Sequence, residues 1–115
     1  MEGRNEERRI GLESSLGDLY KFIYDDREAG KIKKRGPSHR TMCMIGHLYR
    51  DPPGPHVPRG IKTVGELYSL TKEEILRGFR FRKKKTWLNL NEILEGYGLP
   101  PLNLPEEYTS DQQNS

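Results

Sequence analysis

The chain holds a single cysteine, Cys43, so no intrachain disulfide can form and the fold must rest on packing alone. It is also poor in apolar residues, at 32%, with 32% charged. A core can form, but not along the whole length. No apolar run approaches the roughly 20 residues that a membrane-spanning helix needs. The N-terminus, Met1-Glu-Gly-Arg-Asn-Glu-Glu-Arg-Arg9, has no apolar signal core behind it. These absences predict a cytoplasmic protein with no membrane partner. Chemistry-bearing motifs are equally scarce. There is no phosphate-cradling Gly-x-x-x-x-Gly-Lys and no paired carboxylates beyond exposed capping residues. His39, His47 and His56 with Cys43 lack the ligand spacing of a zinc site. Cys43 falls on a helix face expected to point at the core. The expectation is therefore a protein that is not an enzyme, with no cofactor, no metal and no small-molecule substrate.

What the chain has is charge, unevenly spread. Residues 1–30 balance to −3, residues 31–85 carry fifteen Lys/Arg against four Asp/Glu for +11, and residues 86–115 hold five Asp/Glu and no Lys/Arg. A solvated charged face is the ordinary explanation of such a run. The density over residues 31–85 favours a polyanion surface instead.

Apolar periodicity and caps predict only helices. Ser14 or Ser15 caps a helix carrying Leu16, Leu19, Tyr20, Phe22 and Ile23, stopped at Gly30. After a basic linker, Ser38 caps a second helix with Met42, Ile45, Leu48 and Tyr49 inward. Residues 51–60, with four prolines and two glycines, must be a loop. Thr63 with Glu66, and Thr71 with Glu74, fit capping boxes for short helices near 63–69 and 72–77. A connection over 78–85 leads to Thr86, read as the cap of a last helix with Trp87, Leu90, Ile93, Leu94 and Tyr97 inward. Gly98-Leu99 and Pro100-Pro101 end it. Leu102 and Leu104 fold back on the core.

The expected fold is all-α: a compact bundle of four to five short helices with disordered termini. The expected divisions are a disordered 1–10, a helical extension over 11–59, a module over 60–104 and a disordered tail over 105–115. A pattern recurs as Leu16-Gly-Asp-Leu-Tyr20, Ile45-Gly-His-Leu-Tyr49 and Val64-Gly-Glu-Leu-Tyr68. Glycine there would let a neighbouring helix approach closely. Chance among apolar-striped helices explains it as simply, because no fixed period links the three.

Residues Gly60-Ile-Lys-Thr-Val-Gly-Glu-Leu-Tyr-Ser-Leu-Thr-Lys-Glu-Glu-Ile-Leu76 and Thr86-Trp-Leu-Asn-Leu-Asn-Glu-Ile-Leu-Glu-Gly-Tyr-Gly-Leu99 resemble the C-terminal domain of the bacterial RNA polymerase alpha subunit, a helix-hairpin-helix fold. That family reads I-x-T-(I/V)-G-(D/E)-L, then (S/T)-x-x-(E/D)-L-L, then N-L-G-(R/K)-K-S-L-x-E-I, then L-x-x-x-G-L. The likeness spans about 40 residues. It implies DNA binding, often at A·T-rich minor groove, and contact with RNA polymerase or a transcription regulator. By the same likeness Lys84, Lys85 and Thr86 fall on the Lys-Lys-Ser turn that contacts DNA, and Arg40 on the first-helix arginine. Phe81-Arg82-Lys83 replaces the family's Asn-Leu-Gly, so Lys83 stands where glycine would let backbone N–H groups reach a phosphate. No polymerase assembly domain precedes the module, so the chain is not expected to be an alpha subunit itself.

The expected DNA contacts are Arg40, Arg80, Arg82, Lys83, Lys84, Lys85, Thr86 and Asn89. The cations would meet phosphates at a helix N-terminus. The Thr86 hydroxyl could add a phosphate bond or, as a simple N-cap, turn inward to its own helix. Asn89, on the outward side, could reach a base edge or a sugar, with an ordinary exposed polar residue the simpler role. Phe79 and Phe81 could stack on single-stranded bases, but anchoring the hairpin in the core is the simpler role. The leading expectation is a duplex-backbone binder in transcription. The alternatives are a protein-interaction adaptor mimicking the alpha domain and an RNA- or ribosome-associated binder.

Overall fold

A computed structural model describes residues 10–32, 38–52, 57–79 and 83–108. Among the described residues five helices follow one another, α1 (Leu16–Glu28), α2 (Ser38–Tyr49), α3 (Val64–Leu67), α4 (Lys72–Arg77) and α5 (Lys83–Gly96), and residues 106–108 are helical as well. Among the described residues there is no strand, only one isolated bridge.

Caps set most of the boundaries. The Ser15 hydroxyl accepts from the Asp18 N–H and starts α1. The helix ends in a Schellman turn: Gly30 stands at φ 82°, its N–H reaches the Arg27 carbonyl, and the Lys31 N–H reaches that of Asp26. The end of α5 repeats this arrangement with Gly98 at φ 84°, whose N–H meets the Glu95 carbonyl while the Leu99 N–H meets that of Leu94. Around α4 the capping box is complete. The Thr71 hydroxyl accepts from the Glu74 N–H and the Glu74 carboxylate accepts from the Thr71 N–H, both at 3.0 Å. At α3 only half of the expected box forms. Thr63 accepts from the Glu66 N–H, but the Glu66 carboxylate takes the N–H of Lys62, one residue earlier.

The repeated pattern turns out to mark packing contacts. A Cβ on Gly17 would stand 3.1 Å from Tyr49 Cε2, and one on Gly46 would stand 3.9 Å from Tyr20 Cε2. The first two copies therefore lie antiparallel, each tyrosine over the other helix's glycine. The first and third copies are joined at their helix starts. Ser15 and Thr63 form an antiparallel bridge, with the Leu16 N–H on the Lys62 carbonyl at 2.9 Å and the Val64 N–H on the Ser14 carbonyl at 2.8 Å. Gly65 then donates its N–H to the Leu12 carbonyl at 2.7 Å.

One core results. Leu16, Leu19 and Ile23 of α1 pack in the same buried cluster as Met44, Ile45 and Leu48 of α2 and Trp87, Leu90 and Leu94 of α5. The division expected at residue 60 does not divide the core. The ends are also more packed than their polarity suggests. Ile10, placed in the disordered N-terminal stretch, is buried, and so are Pro105 and Tyr108, placed in the disordered tail. Leu102 and Leu104 fold back as expected, held by the Asn91 amide oxygen on the Leu102 N–H. Residues 1–9 and 109–115 lie outside the described residues.

Three facing assignments are corrected. Tyr20 and Tyr49 are exposed by 40% and 41%, and Cys43 is exposed. The α2 stripe instead takes in Thr41 and Met44 beside Met42, Ile45 and Leu48. Ser38 is the first residue of α2 and buried, not the cap before it.

Candidate functional site

Lys83, Lys84 and Lys85 open α5, and Arg40 stands near the start of α2. Helix α5 starts at Lys83, three residues before the expected cap, so Lys83, Lys84 and Lys85 form its first turn. Lysine is a good helix former and carries the hydrogen-bond ladder upstream of Thr86. No described non-glycine residue has a positive φ, so Lys83 occupies ordinary helical backbone where the resembled family has glycine. Lys85 is exposed and Lys84 half-buried.

Thr86 is therefore corrected. It is the fourth residue of α5, 1% exposed, and its Oγ1 is buried without a hydrogen-bond partner. A side chain so placed offers nothing to a phosphate. Asn89 is corrected too. It is half-buried, and its Oδ1 accepts a hydrogen bond from the Thr41 hydroxyl at 2.6 Å. Thr41 Oγ1 also lies 3.5 Å from the Thr86 carbonyl oxygen. Thr41 is fully buried, so this polar contact joins α2 to α5 away from solvent.

That contact brings two helix N-termini together, since Thr41 and Thr86 are each the fourth residue of their helix. The first turns they adjoin carry His39 and exposed Arg40 on α2 and the three lysines on α5. Neither first turn contains an acid. The other three helices follow the usual preference for carboxylates near the positive end of the helix dipole, with Asp18 in α1, Glu66 in α3, and Glu73 and Glu74 in α4. Among the five helices described, the two that break the rule are the two whose first turns meet.

Of the remaining expected contacts, Arg80 and Arg82 lie outside the described residues, as does Phe81. Arg77, at the end of α4, is exposed and ion-paired to Glu73 at 2.7 Å. Phe79 is buried edge-to-face on Trp87, with ring centroids 5.0 Å apart, and anchors the connection in the core. His39 Nε2 stands 3.7 Å from Cys43 Sγ on the outer face of α2, while His56 lies outside the described residues. Among the described residues no three His, Cys, Asp or Glu side chains are grouped to hold a metal ion, and no helix is long and apolar enough to cross a membrane.

Thr41 is the residue that the sequence reading missed. Its signal was there: it stands four residues before Ile45 and seven before Leu48, on their stripe. Thr86 likewise stands four before Leu90. No family model, no curated protein and no solved structure matches this chain.

Proposed function

We propose that this chain is a non-enzymatic DNA-binding module that holds duplex backbone at the junction of the α2 and α5 N-termini, in a transcription-related role. In this reading α4 and α5 are the two helices of a helix-hairpin-helix, in the manner of the RNA polymerase alpha C-terminal domain that the sequence resembles. Arg40, Arg80, Arg82, Lys83, Lys84 and Lys85 supply the charge. Thr86 and Asn89 are left out of the proposed contacts, because the Thr86 hydroxyl is buried and the Asn89 amide oxygen is taken up by Thr41.

The observation that carries this reading is the pairing of two basic first turns. Cations at a helix N-terminus oppose the dipole and cost about 0.3–1 kcal/mol each when exposed. A fold that concentrates them at one junction, while placing acids correctly on its other helices, has a site that an anion would relieve. Polyphosphate backbone fits a cluster of this charge, with Lys84 and Lys85 in the first turn of α5 and Arg40 in that of α2. Contacts of this kind read phosphates rather than bases.

Fluorescence anisotropy with unrelated duplexes tests the reading. The Lys84→Ala, Lys85→Ala double variant should weaken all of them by a similar factor. Unchanged binding by that variant, or capture of a protein partner with no duplex binding, would overturn it.

A further inference from the structure

We propose that Thr41 and Asn89 form a positioning pair that fixes Arg40 against the lysines of α5. This rests on the reading of the junction as a duplex-binding surface.

The pair stands in a mainly apolar setting. Beside Thr41 the α2 stripe buries Ser38 and then Met42, Met44, Ile45 and Leu48, and α5 buries Thr86, Trp87 and Leu90. Valine would fill the Thr41 site with nearly the same shape. A buried hydroxyl instead costs free energy unless it is bonded, and here a 2.6 Å bond to Asn89 Oδ1 satisfies it. Apolar contacts are non-directional and tolerate a helix turning or sliding by a fraction of a residue. A short hydrogen bond between α2 and α5 does not. It defines geometry where the apolar seam supplies stability.

What it defines is the spacing of charge. Arg40 is the residue before Thr41. Lys84 and Lys85 immediately precede Thr86, whose carbonyl lies 3.5 Å from the same hydroxyl. Holding the two backbones in register places the cations of both helices along one phosphate track before binding, so less order has to be imposed on contact. Asn89 thus acts through Thr41 and Arg40 and touches no base.

A double-mutant cycle on the full chain tests this, with duplex affinity measured across a salt series and folding followed by circular dichroism. Arg40→Ala should weaken binding several-fold and flatten the salt slope by about one unit. Thr41→Val and Asn89→Ala should each produce a similar loss, and adding Arg40→Ala to either should then change little. Thr41→Ser, which keeps the donor, should bind as the unaltered chain does. If Thr41→Val disturbs folding, Asn89→Ala carries the same cycle from a half-buried position. Additive losses, with the full Arg40 effect surviving in both backgrounds, would overturn the positioning role and leave duplex binding standing. A chain that binds no duplex at all would overturn the reading of the junction and this role together.

Discussion

Glu74 does two jobs with one carboxylate. It closes the α4 capping box, and it receives Arg59 Nε at 3.0 Å while the same guanidinium bonds Ser69. The hydrogen bond from Arg59, aided by the Thr71 N–H, holds the Glu74 carboxyl below its ordinary 4.5. A carboxylate depressed on folding stabilises above its unfolded value and loses that contribution as the pH falls through the lower folded value. Glu74→Ala should therefore cost about 1 kcal/mol at pH 7, and urea unfolding should show the gap to the unaltered chain narrowing in acid below 4.5. Cap residues such as Ser15 and Thr71 were legible because their chemistry closes within three residues. Thr86 was not, although it too precedes an apolar run. Once lysines carry the helix upstream, a threonine at that place becomes an interior residue. Its burial depends on α2, more than forty residues away in the chain.

At the scale of helices, the glycines of the repeated pattern differ in what a methyl group would meet. On Gly65 a Cβ would stand 3.0 Å from the Leu12 carbonyl oxygen, which is backbone and cannot swing aside. On Gly46 it would find only Tyr20 at ordinary contact distance. Gly65→Ala should destabilise by about 1–3 kcal/mol, whereas Gly46→Ala should stabilise by about 0.5–1 kcal/mol through helix propensity. Thermal unfolding of both decides, and equal signs would contradict the packing. The basic first turn of α5 predicts a trade of stability against binding. Lys85→Glu should raise the unfolding free energy by up to about 1 kcal/mol, by matching the dipole, while abolishing duplex binding. The sequence showed all five helices by their period and stops. It showed the inward face of α2 through Met42, Ile45 and Leu48 but not the edges of that face, because whether Tyr49 and Cys43 lie inside or outside it is decided by α1 and α5.

For the molecule as a whole, the resemblance drew attention to residues 60–104 as a unit, but the Ser15–Thr63 bridge and the shared core tie that stretch to α1 and α2. A fragment beginning at Gly60 loses the partners of Ile61, Val64 and Leu67 and should not unfold cooperatively, which a thermal melt of the fragment would show. Such long-range closure leaves no mark in local periodicity, so the boundary at 60 follows the resemblance rather than the packing. The charge pattern was plain in the sequence. What the fold adds is that Arg40 and Lys83–Lys85 come from separate helices whose first turns meet at Thr41 and Thr86. The central claim is that this junction binds nucleic-acid backbone by charge. Its most direct test is the affinity of the unaltered chain for a duplex measured over increasing salt: a steep linear fall of log K with log salt is predicted, and a flat line, or no binding even at low salt, would contradict it.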